Sequence, residues 1–374
     1  MTGVRHLYVH LPFCGHRCGY CDFVTAVGRR EQHGAYVDAL LVELALEREC
    51  LEPELETVYL GGGTPTFTEP RGLERLLGAL PAADEVTVEA NPETVTPELA
   101  LLLRSGGVTR VSLGAQSFQP ELLAVLERRA GPDAVRRAFY YLRDARFDNI
   151  SLDVIYGIPG QSPSDLARDL DQALALAPEH ISCYELEAKP GTRFTHAHVA
   201  ELACQAEAME GYFELVVETL VDAGYRWYET ANFCRDGRRA RHNLAYWHGR
   251  DYLGVGIGAV STVGGRRWRN RPGLGGYLAA LGTGRRPPRE SERLVEEVRR
   301  RERLMLGLRL DEPLRLDEVA GAVDRDAVGR LEHLGLLERG PDGILLTRRG
   351  RLLGGGVTVE LLAEIPANEH VMAM

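Results

Sequence analysis

The sequence predicts an α/β fold, a partial barrel of six strand–helix units followed by a smaller α+β domain. Three observations carry this prediction. Between residues 7 and 186, short apolar runs alternate six times with helical patterns, an order typical of parallel strands joined by crossover helices. Motifs rich in glycine and polar residues follow these runs at matching positions. Beyond about residue 290, charged helical patterns and one short strand replace the alternation.

The apolar runs are predicted to form the strands of a parallel sheet. They cover residues 7–11, 57–60, 85–90, 108–113, 150–156 and 180–186. The helical patterns cover residues 35–49, 71–79, 97–105, 120–129, 132–145 and 164–176. Thr96, Pro97 and Glu98 have the order of an N-cap, a first-turn proline and an acidic first turn, so they predict where the third helix begins. Residues 162–165 open the last helix in a similar way.

Six strand–helix units fit either an incomplete barrel or an open sheet, and the motifs favour the barrel. In (β/α) barrels, functional residues lie in the loops that follow the carboxyl ends of the strands. Here a cysteine loop follows the first strand, Gly-Gly-Gly-Thr-Pro-Thr the second, Glu-Ala-Asn-Pro the third, Gly-Ala-Gln-Ser the fourth and Gly-Ile-Pro-Gly the fifth. Glycine allows a backbone to approach a ligand closely, because no Cβ intervenes. We therefore expect one site at this end of the barrel.

The most specific of these motifs is the cysteine loop, which holds Cys14, Cys18 and Cys21. A zinc site normally has four protein ligands, often from paired Cys-x-x-Cys units, and the sequence has no second pair. Four-iron clusters usually have four thiolate ligands, so three thiolates leave one iron open. The other cysteines stand alone, at Cys50, Cys183, Cys204 and Cys234. The spacing favours an iron–sulfur cluster with an open iron over a disulfide or a zinc knuckle.

Composition limits the function classes that remain. The formal net charge of −10 over 374 residues argues against general nucleic-acid binding. The sequence contains no stretch of 18 apolar residues, so we predict no membrane span, and residues 1–13 lack the apolar core of a signal peptide. Seven cysteines, an odd number, favour a reducing compartment over a disulfide scaffold. We therefore expect a cytoplasmic protein.

With these motifs in place, the chain resembles the radical S-adenosylmethionine (SAM) superfamily. Within it, the chain is most similar to the oxygen-independent coproporphyrinogen III oxidase family and to the HemW-like haem chaperone branch of that family. The resemblance runs from Tyr8 to about residue 355, and it is strongest in residues 8–14, 21–23, 61–66, 153–160, 228–233 and 241–247. Residues 305–309 and 346–350 fit the C-terminal domain of the family. The resemblance implies a partial (β/α)6 radical SAM barrel, a 4Fe-4S cluster on the three cysteines, SAM on the open iron, and haem.

The resemblance also implies which residues would contact SAM. Two tyrosines would flank its methionine and adenine parts, and the glycine loop would present backbone and hydroxyl donors to its amino-acid end. Four polar side chains at successive strand ends would serve the amino group and the ribose. The implied set is Tyr8, Tyr20, Gly62, Gly63, Thr64, Glu89, Gln116, Arg128 and Asp153.

One position separates the enzymes from the chaperones of the family. The oxidases carry a further cysteine two residues after the third, where this sequence has Phe23. The resemblance therefore implies that this chain lacks coproporphyrinogen oxidase activity. The chaperone branch also shares a His-Asn-x-x-Tyr-Trp segment, which implies His242 as an axial haem ligand and Tyr246 and Trp247 as faces for the porphyrin. The alternative for His242 is a surface or hydrogen-bonding histidine.

Two function hypotheses follow, with a third behind them. The first is a haem-binding and haem-transfer protein that keeps a radical SAM cluster; its partners would be haem, an acceptor protein and a reductant for the cluster. The second is a radical enzyme that removes hydrogen from a porphyrinogen propionate. The third, an RNA-modifying enzyme, is disfavoured by the acidic charge. Two histidines of the family are replaced by Ala130 and Val260. Any reaction step of the family that needs those imidazoles is therefore less expected in this chain.

The sequence predicts three regions along the chain. Residues 1–235 would form the barrel, residues 236–290 a connecting segment with the haem motif, and residues 291–374 a winged-helix-like domain with a tail. In the last region we predict helices over residues 292–305, 315–322 and 325–336, a strand over residues 344–347, and a final helix. Acidic residues interleave with the arginines of the first of these helices, which is typical of a solvated helix face rather than a nucleic-acid site.

Overall fold

A nine-stranded sheet forms the framework of the computed structural model, which describes residues 3–189 and 193–363. Its six central strands are parallel and adjacent in chain order, as the sequence predicts. They are β1 (His6–Leu11), β2 (Leu55–Gly62), β3 (Ala83–Ala90), β4 (Arg110–Gln116), β5 (Ile150–Tyr156) and β6 (His180–Glu185). Strand β2 ends at Gly62 and β4 at Gln116, so both strands include the first residues of the glycine motifs that the sequence places after them.

Helices cross over between these strands and pack outside them. They are α1 (His33–Leu46), α2 (Pro70–Ala79), α3 (Pro97–Ser105), α4 (Pro120–Val125), α5 (Pro132–Asp144) and α6 (Pro163–Ala175), with short 3-10 turns at Arg30–Gln32, Arg48–Cys50, Pro65–Phe67 and Pro92–Thr94. The predicted N-caps are confirmed. The Thr96 side chain accepts a hydrogen bond from the Leu99 N–H, and Ser162 and Asp165 form a reciprocal capping box.

The sheet continues at both edges with strands from later in the chain. After α7 (Arg193–Ala197) and α8 (Val199–Asp222) come β7 (Arg226–Trp227) and β8 (Asn232–Cys234). Strand β8 pairs antiparallel with β6, and β7 pairs antiparallel with β8 at the edge of the sheet. Beyond α9 (Arg241–Trp247), strand β9 (Leu253–Val255) pairs with β1 in parallel. A separate antiparallel sheet follows, with β10 (Val260–Val263), β11 (Arg266–Asn270), α10 (Leu274–Leu281) and β12 (Arg289–Arg293).

The chain divides into two compact units at positions that differ from the predicted regions. The first unit holds residues 1–227, 231–244 and 251–293, and the second holds residues 228–230, 245–250 and 294–374. Most of the predicted connecting segment 236–290 thus belongs to the barrel unit. The physical reason is hydrogen bonding, because β9 completes the exposed edge of β1 and cannot be a free connection.

The second unit has its own apolar core. Its elements are α11 (Glu296–Gly307), α12 (Arg325–His333), the hairpin β13 (Leu337–Gly340) and β14 (Gly343–Leu346), α13 (Arg348–Leu352) and α14 (Gly354–Leu361). The predicted helix over residues 315–322 is wrong, since this stretch forms turns. Leu314 pairs with Ile344 and Val323 with Leu362 as isolated bridges, so the backbone at both ends of the stretch is extended. No helix of the described residues is long and apolar enough to cross a membrane.

Candidate functional site

A cavity of about 370 Å³ opens where the carboxyl ends of the barrel strands meet the cysteine loop. Most of the residues predicted for the cluster and SAM line it together, namely Cys14, Cys18, Cys21, Tyr20, Gly63, Thr64, Glu89, Gln116, Arg128 and Asp153. Their strands contribute alternate residues to the lining, as at Arg110, Ser112 and Gly114 on β4. This period of two places one face of each strand toward the interior of the barrel.

The cysteine loop is held in place by its own backbone. Two short parallel strands, Phe13–Cys14 and Ala26–Val27, close the loop at its base. Inside it, the Cys21 N–H donates to the Cys18 carbonyl at 3.2 Å. The Sγ of Cys14 lies 3.4 Å from the Thr64 hydroxyl, so this thiol is tied to the loop after β2. The loop therefore presents its three thiols from a fixed backbone.

These thiols fit an iron–sulfur cluster better than a single metal ion. No three His, Cys, Asp or Glu side chains of the described residues converge as ligands of one ion. A cluster needs no such convergence, because each thiolate binds a different iron. The pKa of Cys14 is raised to about 11, because burial and the thiols of Cys21 and Cys18 outweigh the Thr64 hydroxyl and the Arg128 guanidinium, which lower it. Thiolates crowded in this way need positive charge, which a cluster would supply.

The loop after β2 requires glycine at two positions. A Cβ on Gly62, whose φ is +112°, would lie 2.5 Å from the His10 ring, and a Cβ on Gly63 would lie 2.5 Å from the Pro12 carbonyl oxygen. His10 is itself fixed, since its Nε2 donates to the Val24 carbonyl at 2.8 Å and its Nδ1 accepts from the Tyr8 hydroxyl at 3.0 Å. The loop therefore packs directly against β1 and the cysteine loop.

The backbone donors predicted for this loop are already in use. The N–H groups of Gly62, Gly63 and Thr64 donate to Glu89, Leu11 and Phe13 respectively. The prediction that they donate to a ligand is therefore wrong for this conformation. The Thr64 side chain lines the cavity, and its hydroxyl accepts from Asn91 at 2.9 Å. Acceptors of this kind suit an ammonium group, which can only donate.

Two half-buried carboxylates, Glu89 and Asp153, line the cavity beside the loop. Glu89 accepts hydrogen bonds from the Tyr59 hydroxyl at 2.7 Å and from the Gly62 N–H at 3.1 Å. The pKa of Glu89 is raised to about 7, because burial and the Asp153 carboxylate outweigh these hydrogen bonds and the Arg110 guanidinium, which lower it. Burial likewise raises the pKa of Asp153, which accepts from the Ser112 hydroxyl at 3.0 Å. Both carboxylates are available to a cationic ligand, whose charge would favour their ionised forms.

Arg128 connects the cysteine loop to the strand ends. Its Nη2 donates to the Asn91 side chain and to the Gly114 carbonyl, each at 2.9 Å, and its Nη1 donates to the Cys18 Sγ at 3.6 Å. Gln116 is aimed by a bulge in β4 and has a φ of +66°, a conformation that non-glycine residues rarely adopt. The end of β4 beside the cavity thus departs from regular strand geometry.

A second cavity of about 530 Å³ lies beside the cysteine loop. It shares Cys18, Thr64, Asn91 and Arg128 with the first, and Arg30, His33 and Phe67 are among its other lining residues. The cysteine loop is therefore bordered by open space on two sides.

Three predicted residues lie outside the lining of the first cavity. Tyr8 is half-buried and stacks on Tyr59, with ring centroids 6.2 Å apart, while Gly62 lies behind the loop against His10. His242 is 1% exposed, and its Nδ1 lies 2.7 Å from the Thr57 hydroxyl. Burial lowers the pKa of His242 to about 3. Its imidazole is therefore enclosed and neutral in this structure.

The rest of the His-Asn-x-x-Tyr-Trp segment is divided between the two units. Asn243 belongs to the first unit and lines the cavity. Tyr246 and Trp247 belong to the second unit and are half-buried, and the Arg309 guanidinium lies 4.5 Å from the centroid of the Trp247 ring. The segment is thus not a single exposed surface.

Sequence reasoning missed several residues of the cavity, namely Tyr59, Asn91, Arg110 and Ser112. A signal was present for some of them. Asn91 follows Glu89 in the Glu-Ala-Asn-Pro motif, and Tyr59 precedes the glycine loop with the alternation of an inward-facing strand residue. Arg110 had no signal, because an arginine at the start of a strand is usually exposed.

Comparisons with known proteins identify relatives along nearly the whole chain. The family profile of the radical SAM superfamily matches residues 8–173, and that of the HemN C-terminal domain matches residues 294–353. The chain is 37% identical to the haem chaperone HemW of Mycobacterium tuberculosis, over 95% of this chain and 94% of that protein. It is 32% identical to the HemW of Bacillus subtilis, over 97% of this chain and 100% of that protein.

A solved structure shares the fold over nearly the whole chain. Coproporphyrinogen III oxidase (HemN) from Escherichia coli, described as a radical SAM enzyme, superimposes with a TM-score of 0.78 at 22% sequence identity. The alignment covers 96% of this chain and 90% of that chain. At this identity the likeness establishes the fold and not the reaction.

Proposed function

Because the chain belongs to the radical SAM superfamily and, within it, to the HemW family of haem chaperones, we propose that it binds haem and transfers it to an acceptor protein. A 4Fe-4S cluster would be held by Cys14, Cys18 and Cys21, with SAM on the open iron. The observation that carries the cluster and SAM part is that the three thiols share one cavity with Glu89 and Asp153. The haem part is supported by the relatives, which are named haem chaperones and align over 94% and 100% of their lengths.

Each group at the cavity has a separate task in this proposal. When bound, the cluster supplies one-electron redox chemistry and an open coordination position. Arg128 donates to Cys18 and so offsets the negative charge of the thiolates. Glu89 and Asp153 would accept hydrogen bonds from the ammonium and hydroxyl groups of SAM, and Tyr20 lines the cavity beside them. These groups are half-buried, so a ligand that fills the cavity would displace water and strengthen each polar contact.

Partners and location follow from the same proposal. The cluster requires a low-potential reductant, and haem transfer requires an acceptor protein. All seven cysteines are free thiols and no two form a disulfide, which supports a reducing, cytoplasmic compartment. The net charge of −10 supports protein and small-molecule partners rather than nucleic acid.

Haem binding is tested with the anaerobically reconstituted protein. We expect about one haem per chain and a Soret band shifted from that of free haem. Transfer is then measured by mixing the haem-loaded protein with haem-free myoglobin and following the Soret band of the acceptor. No bound haem at micromolar protein would contradict the proposal.

His242 is proposed as the axial haem ligand, and the structure shows what this role requires. The ring is enclosed, with Nδ1 beside the Thr57 hydroxyl, so the imidazole must become accessible before its Nε2 can reach iron. His242→Ala should therefore weaken haem binding at least about tenfold or change its spectrum, the usual loss for a metal ligand or its support.

Thr57→Val is the matched control for this prediction. It removes the hydroxyl that contacts both His242 and His6 but keeps the imidazole, so haem binding should be retained. An unchanged spectrum and affinity in His242→Ala would show that the axial role is wrong. Iron and sulfide content should not change in either variant, because Thr57 and His242 lie outside the cysteine loop.

The alternative function is a radical enzyme that acts on a porphyrinogen. Phe23, at the position where the oxidases carry a further cysteine, is 62% exposed and cannot replace that ligand. We therefore expect no conversion of coproporphyrinogen III to protoporphyrinogen IX in the presence of SAM and a low-potential reductant. Product formation, followed by porphyrin fluorescence after oxidation, would move the chain into the oxidase class.

A further inference from the structure

Three rings form a stack along the inner face of the barrel. Tyr59 lies between Tyr8, at a centroid distance of 6.2 Å, and His242, at 5.1 Å with an interplanar angle of 27°. Thr57, two residues before Tyr59 on β2, holds the edge of the same imidazole at 2.7 Å. Strand β2 therefore contacts both the face and the edge of the His242 ring.

Strand β3 holds the same segment from a second side. The Glu85 carboxylate accepts hydrogen bonds from the Arg241 and His242 N–H groups, each at 3.2 Å, and so caps the first turn of α9. Glu89 lies four residues further along β3, on the face that borders the cavity. The two strands that hold His242 thus also carry Tyr59 and Glu89, which are joined by a 2.7 Å hydrogen bond.

We propose that Tyr59 is a positioning residue that orients Glu89 toward SAM, and that His242, by stacking on Tyr59, couples the His-Asn segment to SAM binding. The inference rests on the proposed function for SAM itself and adds the route by which the haem-associated segment acts on it. Tyr59 does not need to touch SAM for this role. It fixes one carboxylate oxygen of Glu89, while the Gly62 N–H fixes the other.

The groups around Glu89 set its pKa, and the coupling can therefore be measured through the pH dependence of SAM affinity. Burial and Asp153 on β5 oppose its ionised form, whereas the Tyr59 hydroxyl, the Gly62 N–H and Arg110 on β4 favour it. Removing the Tyr59 hydroxyl should therefore raise the pKa of Glu89. If the carboxylate must be ionised to bind the SAM ammonium, SAM affinity should then rise with pH at a higher midpoint.

Tyr59→Phe keeps the ring between Tyr8 and His242 and removes only the hydroxyl. SAM affinity of the cluster-bearing protein is measured by calorimetric titration across a pH series on both sides of neutrality. We expect about tenfold weaker binding at neutral pH, the usual effect of a lost hydrogen bond to a charged group, and a midpoint about one pH unit higher. Iron and sulfide content should be unchanged.

Tyr225→Phe is the matched control, since its buried hydroxyl donates to the Pro178 carbonyl at 2.6 Å and has no contact with Glu89. This variant should keep the wild-type affinity and midpoint. An unchanged midpoint in Tyr59→Phe would overturn the positioning role. If the wild-type protein itself fails to bind SAM, the proposed function fails, which is a different result.

His242→Ala tests the second half of the proposal. It frees one face of Tyr59 without touching Glu89, so the midpoint of SAM binding should move in the same direction by a smaller amount. His242→Phe, which restores a flat ring, should return the midpoint toward the wild-type value. If Tyr59→Phe shifts the midpoint and His242→Ala does not, the coupling to the His-Asn segment is wrong and only the Tyr59–Glu89 contact remains.

Discussion

Replacement of any one of Cys14, Cys18 and Cys21 by alanine should abolish the iron–sulfur cluster. The wild-type protein, reconstituted without oxygen, should hold about four irons and four sulfides per chain. Two thiolates in this loop cannot retain a cluster, because the cavity offers no further thiol, and the nearby hydroxyl of Thr64 and guanidinium of Arg128 are poor iron ligands. Iron and sulfide analysis with the visible absorption spectrum measures the loss.

The remaining cysteines provide controls for this prediction. Cys204 is exposed and Cys50 is half-buried, and neither lines the cavity, so Cys204→Ala and Cys50→Ala should keep full cluster content. Cys234→Ala should also keep the cluster, although its buried site makes some loss of stability expected. A full cluster in the triple variant of Cys14, Cys18 and Cys21 would contradict the assignment of the site.

Glu89→Ala should give the second largest effect, a loss of SAM binding without a loss of iron. Removing one partner of a buried charged pair typically costs about 2–5 kcal/mol, which corresponds to roughly thirtyfold weaker binding or more. Asp153→Ala should act in the same direction. Calorimetric titration and the EPR spectrum of the reduced cluster, recorded with and without SAM, measure the change.

The sign of the pH dependence follows from the raised pKa of Glu89. Its ionised fraction increases as the pH rises through about 7, so SAM affinity of the wild-type protein should increase over the same range. Glu89→Gln cannot ionise and should lose this dependence. Glu185→Gln is the control, because Glu185 lines the cavity but makes no contact with the glycine loop that an ammonium group would use. An unchanged EPR spectrum at saturating SAM in the wild-type protein would contradict the SAM site.

Several local signals in the sequence were sufficient to predict structure. The caps at Thr96 and Ser162 predict helix starts, because their side chains bond to N–H groups three residues away. The six parallel strands follow from apolar runs whose length and order leave few alternatives. By contrast, the helical pattern over residues 315–322 failed, because backbone pairing of Leu314 and Val323 with distant residues overrides local propensity.

Spacing alone also predicts the proposed cluster ligands, since three thiols within eight residues must lie close together whatever the fold. The tertiary structure decided what surrounds them. Arg110 became part of the cavity because β4 turns it inward, and the N–H groups of the glycine loop were taken by Glu89, Leu11 and Phe13. Such pairings join residues far apart in the chain, and no local pattern records them.

His242 shows most clearly what the sequence determines and what only the tertiary structure decides. The sequence determined its neighbours, an arginine and an asparagine in a short motif, and these are compatible with an exposed ligand. Only the tertiary structure placed its ring against Thr57 and Tyr59, residues more than 180 positions earlier in the chain. Burial is a property of packing between distant segments, so the exposure and protonation of this imidazole depend on the folded barrel and not on its flanking residues.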